Sequence, residues 1–281
     1  MMKDHFDESD LPNFEPDGKV GLVATINPEG LPHITLITAM QALDTRHLVF
    51  GQFCEGRGKR NAEERRHLGF LFLSLDKRVW RGTATWTGKS DSGPEHAMMN
   101  RKPMWRYNSY FGIHTVHYLD LVSTTDAEKI KMGSVLAGVV KAAVLGWTPG
   151  SGNRRETHPD AMNAWTQGFI SRTGNLKFAA FIGPDGYPRI VPQLAAVATG
   201  GGRIYLPGAE YGEELADIQE GASVALFTMA LSMEDVLVRG CFSHSGRGGF
   251  IDVDWVYNSM PPVAERIYPP LHLSEKVLAF Q

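Results

Sequence analysis

The chain has 281 residues, of which 43% are apolar and 21% are charged, and its formal net charge is −3. This composition is typical of a water-soluble protein with a hydrophobic core, and the small net charge predicts no affinity for nucleic acid or for a membrane. The two cysteines, Cys54 and Cys241, exclude a disulfide framework, and the acidic N-terminus lacks the apolar segment of a signal peptide, so we expect a cytoplasmic protein.

The first predicted elements are two strands joined by a tight turn, and the chain repeats them further on. Residues 18–34, GKVGLVATINPEGLPHI, align without gaps with residues 174–190, GNLKFAAFIGPDGYPRI, and seven of the seventeen positions are identical. The proline and glycine of each turn suit a type I turn. The likeness continues through later strands, where RGTATWTG at 81–88 parallels RGCFSHSG at 239–246. We therefore predict an internal duplication.

Each copy is predicted to contain strands, one short helix and further strands, in the same order. Short strands bounded by turn residues predict a small antiparallel barrel in each half. The predicted fold class is mainly β with a few helices (α+β), with two tandem barrels joined by a helical linker. We place the first domain at residues 1–150 and the second, degenerate one at 151–281. The linker helix is predicted over about 126–146 and begins at Thr125 or Asp126.

The segment at residues 50–70, FGQFCEGRGKRNAEERRHLGF, is the strongest candidate for a binding site. It places Arg57, Lys59 and Arg60 among glycines, after an apolar strand and before a helix. Glycines let backbone N–H groups approach a phosphate, and a helix N-terminus and guanidinium groups favour an anion. Basic residues in a loop can also be merely solvated, but the matching segment of the second copy is acidic. Its carboxylates are Glu210, Glu213, Glu214 and Asp217. We therefore predict phosphate binding in the first copy and not in the second.

The first copy carries an aromatic insert, at about residues 89–117, that the second copy lacks. Two interpretations stay open. It forms a lid over a ligand, with Arg106, Tyr110 and His114 as candidates to touch substrate, or it forms a small satellite core between the domains. His114 and His117 lie in a segment that looks extended, which points their side chains to opposite faces, so no metal site is predicted.

From about residue 18 to 122, these motifs resemble the pyridoxamine 5′-phosphate oxidase-related, FMN-binding split-barrel family, and residues 174–257 resemble it more weakly. The resemblance implies two split barrels, and an FMN whose phosphate lies on the turn formed here by Gly56, Arg57, Gly58 and Lys59. Gly56 stands where the family has Ser, and the Lys is displaced by one position. The other implied cofactor-binding residues are Thr35, Leu36, Ile37 and Thr38 on the second strand, Gly51 and Gln52 on the third, and Arg78. An ordinary strand role is the alternative for Thr35, Thr38 and Arg78.

The resemblance further implies that FMN lies in a groove between two barrels. A duplicated chain can form that pair within itself, and we predict one FMN per chain. The alternative is a homodimer that forms the groove from two copies of the first barrel. Two functions follow: an FMN-dependent oxidoreductase or electron carrier acting on a small-molecule substrate or redox partner, and a non-catalytic module that stores or senses FMN or another phosphorylated ligand. Pyridoxamine 5′-phosphate oxidase activity itself is not expected, because the extra domain and the insert do not match that enzyme's single-barrel plan.

Overall fold

The structure is a computed structural model, and it describes residues 2–15, 19–102, 112–130, 133, 135, 137, 138, 158, 161–209, 211–258 and the backbone of 265–268. These residues form two antiparallel sheets and a few short helices. The predicted mainly β fold with two sheets is therefore confirmed.

The first sheet is built from strands of the N-terminal half. They are β1 (Met2–Lys3), β2 (Lys19–Ile26), β3 (Pro32–Leu36), β4 (Met40–Ala42), β5 (His47–Gln52), β6 (His67–Ser74), β7 (Arg78–Ser90), β8 (Thr115–Thr125) and β9 (Glu128–Lys129). Their order is β3-β2-β6-β7-β8-β5-β4, with β1 beside β8 and β9 beside β7. The helices of this half are a 3₁₀ helix (Glu8–Phe14), α1 (Arg57–Glu64) and α2 (Pro94–Arg101).

The second sheet is built from the C-terminal half. Its strands are β10 (Leu176–Ile182), β11 (Pro188–Pro192), β12 (Val197–Ala198), β13 (Arg203–Leu206), β14 (Ser223–Met229), β15 (Asp235–Ser245), β16 (Gly248–Asn258) and β17 (Glu265–Tyr268). Their order is β11-β10-β14-β15-β16-β13-β12, with β17 beside β16. The helices of this half are α3 (Ala164–Ser171) and α4 (Gly212–Ala216).

The two sheets have the same connectivity. When β2 to β8 are matched in sequence order with β10 to β16, the spatial order of the strands is identical. A short helix also lies at the same place in each half, since α1 precedes β6 and α4 precedes β14. The halves therefore share one architecture, and its origin in a duplication stays a prediction.

Each half has its own core, and a third core lies between the sheets. In β2, Leu22 and Ala24 belong to the core between the sheets, whereas Val23 belongs to the core of the first half. In β10, Phe178 belongs to the core between the sheets and Ala179 to the core of the second half. Successive side chains of a strand point to opposite faces, so both strands are buried on both faces. Their almost continuous apolar sequences follow from this.

The linker differs from its prediction. The helix expected from Thr125 or Asp126 does not begin there, because Glu128 and Lys129 form β9 and pair with the start of β7. Helical backbone is present at residues 133, 135, 137 and 138. The domain boundary expected near residue 150 lies outside the described residues.

None of the helices in the described ranges is both long enough and apolar enough to span a membrane.

Candidate functional site

A groove of about 620 Å³ lies between the two sheets, and both halves of the chain line it. The first half contributes the turn between β2 and β3 and the start of α1, and the second half contributes β15 and β16. The residues that line the groove include Asn27, His33, Gly56, Arg57, Arg60, Asn61, Arg239, Trp255 and Tyr257.

The turn at the edge of the groove is held by Asn27. Its side-chain oxygen accepts a hydrogen bond from the backbone N–H of Leu31 at 2.7 Å, and its own N–H donates to the Leu31 carbonyl at 2.9 Å. Gly30 has a φ of 80°, a conformation that side chains other than glycine rarely adopt. The repeated proline–glycine motif therefore forms a rigid turn that borders the groove.

Helix α1 begins close to the neighbouring strand. Gly56 is its N-cap, and Gly58 approaches Thr35 so closely that a Cβ at residue 58 would lie 2.2 Å from the Thr35 hydroxyl. The buried Asn61 side chain donates to the hydroxyl of Thr25 at 3.2 Å. These contacts fix the N-terminus of α1 against β2 and β3. The unpaired N–H groups of its first turn therefore have a fixed position at the groove.

Two of the predicted basic residues lie at this helix end and line the groove, namely Arg57 and Arg60. Lys59 is oriented differently, because its ammonium group donates to the carbonyl of Cys54 at 2.8 Å. Burial lowers the pKa of Lys59 from its ordinary value. The structure therefore brings Arg57 and Arg60 together, and it places Lys59 against the preceding loop.

The opposite wall of the groove is aromatic and belongs to the second half. Trp255 and Tyr257 are stacked, with ring centroids 5.3 Å apart and an angle of 10° between the planes. The guanidinium of Arg239 lies over Trp255, 4.6 Å from its centroid, and that of Arg57 lies over Tyr257 at 5.6 Å. His33 meets both rings edge-on, at 6.3 and 5.6 Å. Cation–π contacts thus hold arginines of both halves on one aromatic surface.

Charged side chains of both signs line the groove, with arginines at the start of α1 and on the aromatic wall. Burial, reinforced by Arg239 and Arg57, lowers the pKa of His33 to about 3, so this ring is neutral at pH 7. Glu29, Glu55 and Glu64 also line the groove, and all three are solvent-exposed. Within the described part of the chain, Arg57, Arg60 and Arg239 form no ion pair. The three guanidinium groups are therefore available to an anionic ligand.

The corresponding region around α4, where α4 of the second half meets β7 and β9 of the first half, has the opposite character. Arg81 of β7 occupies the position that Arg239 has in β15, since each is the arginine of the repeated Arg-Gly motif. Arg81 pairs with Glu128 at 3.2 Å and with Glu214 of α4 at 2.5 Å. Burial alone would lower the pKa of Arg81, but the two carboxylates raise it. The guanidinium of Arg81 is thus compensated by one carboxylate from each half.

The four residues predicted on the second strand do not share one environment. The hydroxyl oxygen of Thr35 is buried and has no hydrogen-bond partner within the described ranges. Leu36 packs against the core between the sheets, and Ile37 belongs to the core of the first half. Thr38 is partly exposed. Of these four side chains, Thr35 is the one in contact with α1, where Gly58 covers its hydroxyl.

Gly51 and Gln52 lie beneath the end of the insert. A Cβ at residue 51 would lie 2.4 Å from the Ile113 side chain, so Ile113 covers this glycine. The amide oxygen of Gln52 accepts a hydrogen bond from Nε2 of His117 at 2.6 Å, and Nδ1 of His117 accepts one from the Trp86 indole at 3.1 Å. Burial lowers the pKa of His117 to about 4. Both predicted residues thus make contacts within the protein.

The remaining predicted residues lie apart from the groove or outside the described ranges. Arg78, at the start of β7, donates to Asp76 at 2.6 Å and to Asn13 at 2.7 Å. His114 is exposed and contacts Thr115. Arg106 and Tyr110 lie outside the described residues. Within the described ranges, no group of three metal-ligating side chains is present.

Sequence reasoning missed the contribution of the second half, namely Arg239, Trp255 and Tyr257. It also left His33 and Arg60 out of the expected cofactor contacts. The signal for Arg239 was present, because the repeat aligns it with Arg81. The alignment does not predict which side chains surround each arginine, because these neighbours come from segments far away in sequence.

The residues beside α1 fit the phosphate-bearing end of FMN. The absence of a side chain at Gly58 lets the first turn of α1 pack on β3 at the edge of the groove, and Arg57 and Arg60 flank this helix N-terminus. A phosphate needs this combination of N–H donors and guanidinium groups. Gly51 and Gln52, which were expected to contact the flavin, contact other parts of the protein instead. Ile113 covers Gly51, and His117 donates a hydrogen bond to Gln52.

Comparison with known proteins gives similarities among solved structures. No family model matches the chain, and no curated protein matches it. An FMN-binding protein from Syntrophomonas wolfei is 12% identical, with a TM-score of 0.36, over 44% of this chain and 86% of that chain. A candidate pyridoxamine 5′-phosphate oxidase from Lactobacillus delbrueckii is 14% identical, with a TM-score of 0.35, over 44% of this chain and 95% of that one. An F420 reductase is 14% identical, with a TM-score of 0.34, over 43% of this chain and 97% of that one.

Each of these matches covers less than half of this chain, and the identities and TM-scores are low. A function for this chain must therefore be argued from the residues of the groove. In fold, this chain is similar to FMN-binding and pyridoxamine 5′-phosphate oxidase-like split-barrel proteins.

Proposed function

We propose that the chain binds FMN in the groove between its two sheets, with the phosphate at the N-terminus of α1. The observation that carries this proposal is the contrast between α1 and its counterpart in the second half, α4. Arg57 and Arg60 of α1 face the groove without a carboxylate partner in the described structure, whereas α4 is acidic and its Glu214 pairs with Arg81 of β7. Guanidinium groups without a carboxylate partner, beside the N–H groups of a helix N-terminus, favour an anionic ligand.

The roles of the protein groups follow from their positions. Arg57 and Arg60 hold the phosphate together with the N–H groups of the first turn of α1. The turn at Asn27 and the stacked pair of Trp255 and Tyr257 line the groove on its two sides. A bound flavin supplies electron or hydride transfer, and the protein supplies position and electrostatics.

A non-catalytic store or sensor of FMN is the second candidate, and one observation favours it. His33 is the histidine that lines the groove, and its pKa of about 3 keeps the ring neutral and only weakly basic at pH 7. A general acid or base works best when its pKa is close to the operating pH. Turnover that needs proton transfer would therefore not use His33.

The first test is a titration of the purified protein with FMN, followed by flavin fluorescence. We expect saturation at one FMN per chain. Arg57→Gln and Arg60→Gln should each raise Kd by about tenfold to a hundredfold, because a hydrogen bond to a charged group contributes about 1.5–3 kcal/mol. Arg172→Gln, which removes an exposed charge from the other half, is the matched control and should leave Kd unchanged.

Two FMN molecules per chain, or full affinity in Arg57→Gln, would contradict the proposed site. Catalysis is then tested on the FMN-loaded protein under anaerobic conditions. Rapid bleaching of the flavin absorbance by a nicotinamide donor supports an oxidoreductase. Absence of reduction by any donor, together with tight FMN binding, supports the store or sensor.

A further inference from the structure

Arg239 stands out in the groove because it is not part of the α1 site. It projects from β15 of the second half, whereas Arg57 and Arg60 belong to the first half. Its guanidinium lies on Trp255, and the guanidinium of Arg57 lies on the next ring of the same stack, Tyr257. A guanidinium that rests on an aromatic face keeps its in-plane N–H groups free for a planar anion.

The charge of Arg239 is not compensated by a bonded carboxylate. It is partly buried, and it forms no ion pair within the described ranges, whereas its counterpart Arg81 has two carboxylate partners. Burial lowers the pKa of Arg239, Asp254 and Glu29 act in the opposite direction, and Arg57 lowers it further. A half-buried cation beside another cation is unfavourable unless an anion approaches it.

The phosphate site at α1 does not need Arg239. Two arginines and the N–H groups of a helix N-terminus already satisfy a phosphate. The repulsion between Arg57 and Arg239 is relieved most when each guanidinium has an anion of its own.

We propose that Arg239 is the anchor for a second anion, the carboxylate or phosphate group of the small molecule that exchanges electrons with the flavin. This inference rests on the proposed function and deepens it. The class of partner is an organic anion whose body packs beside Trp255. Arg239 would thus be the contribution of the second half to substrate selection, while the first half holds the cofactor.

The test uses the FMN-loaded protein and two probes, benzoate and inorganic phosphate. Binding is followed by the visible absorbance of the flavin and by the indole N–H signal of Trp255 in NMR spectra, which Trp255→Phe identifies. We expect saturable shifts in the wild type. Arg239→Gln should weaken probe binding by about tenfold or more, which corresponds to 1.4 kcal/mol, and should change the FMN Kd less than about threefold. Arg239→Lys should bind with intermediate affinity, and Arg172→Gln should behave as the wild type.

Two results would overturn the inference. One is a loss of FMN affinity in Arg239→Gln as large as in Arg57→Gln, which would place Arg239 in the phosphate site. The other is the absence of any probe-induced shift in the FMN-loaded wild type. Failure of the proposed function is distinguishable, because it appears as an absence of FMN binding. In that case the Trp255 signal of the FMN-free protein still reports whether inorganic phosphate binds in a way that depends on Arg239.

Discussion

At the scale of single residues, the structure gives His117 a role that its sequence position did not suggest. The ring is buried and bridges two side chains, with Trp86 donating to Nδ1 and Nε2 donating to Gln52. This pattern requires the neutral imidazole, because one nitrogen must accept and the other must donate. Protonation would break the hydrogen bond from Trp86 and would leave a charge in the core.

The titration of His117 predicts how stability depends on pH. Its pKa is about 4 in the folded state and 6.5 in the unfolded state, so the unfolded state binds the extra proton between these values. The stabilising contribution is therefore complete above pH 6.5 and is lost as pH falls towards 4, by about 3 kcal/mol. His33 acts in the same direction. Urea unfolding at pH 4.5, 5.5 and 7 measures the effect.

The His117→Gln variant distinguishes the contribution of His117 to the pH dependence of stability from that of His33. It should lose about 1–3 kcal/mol at pH 7, because it disturbs the hydrogen bonds of Trp86 and Gln52. Between pH 5.5 and 4.5 its stability should fall less steeply than that of the wild type, with His33 responsible for the remainder. A pH dependence identical to that of the wild type would show that His117 is not the buried neutral ring described above.

At the scale of elements, helix α1 is positioned by the absence of a side chain. A Cβ at Gly58 would lie 2.2 Å from the Thr35 hydroxyl oxygen and 3.2 Å from the Thr35 Cβ. The close approach brings the first turn of α1, with Arg57 and Arg60, to the edge of the groove. The glycine-rich sequence of this segment thus has a packing function in addition to any contact with a ligand.

We predict that Gly58→Ala displaces α1 from β3. Alanine favours a helix by about 1 kcal/mol over glycine, but overpacking costs about 1–3 kcal/mol, so a net loss of stability is expected. Affinity for inorganic phosphate should fall with it, because Arg57 and Arg60 move together with the helix. Chemical denaturation and a phosphate titration measure the two effects.

A double-mutant cycle with Thr35→Ala is the control for this prediction. Removing the Thr35 hydroxyl takes away the closest clash, so Gly58→Ala should cost less in that background. Equal costs in both backgrounds would show that the contact with Thr35 does not position the helix.

At the scale of the whole molecule, the repeated turn region of each half packs against the other half. Tyr187, in the turn of the second half, hydrogen-bonds Thr85 at 2.8 Å and stacks on His67 at 4.1 Å. His33, which follows the turn of the first half, contacts Trp255 and Tyr257. The two sheets are therefore held together by reciprocal contacts around the shared core, and the groove exists only when both halves are present.

The ion pair between Arg81 and Glu214 is a further link between the halves. Both side chains are partly buried, with 17% and 26% of their surface exposed, so the pair is screened less than a surface salt bridge. Glu214→Gln should lower the free energy of unfolding by about 1–3 kcal/mol, between the values typical of exposed and buried pairs.

Glu213→Gln is the matched control for this pair. It removes the same charge from the same helix at an exposed position and should change stability by less than about 0.5 kcal/mol. Thermal and urea unfolding compare the two variants. Equal effects would show that net charge, rather than the contact with Arg81, determines the result.

Much of the fold could be predicted from local patterns. Turn residues and short apolar strands indicated the strand pairs, and the repeat indicated two similar sheets. The start of the linker helix was predicted wrongly. Its sequence has the propensity of a helix, but the backbone of Glu128 and Lys129 pairs with β7, and Glu128 also binds Arg81. A long-range contact overrides a local propensity in this segment.

Some features of the candidate site could likewise be predicted from local sequence, and others could not. The architecture of each half and the basic segment at α1 could be predicted from local sequence, because both depend on residues that are neighbours in the chain. The packing of the two sheets adds that Arg57 shares an aromatic wall with Arg239, that Arg81 is neutralised by Glu214, and that Lys59 faces a carbonyl. The physical reason is that the electrostatic state of a charged side chain depends on its burial and on its neighbours in space, which the packing of the two sheets alone brings together.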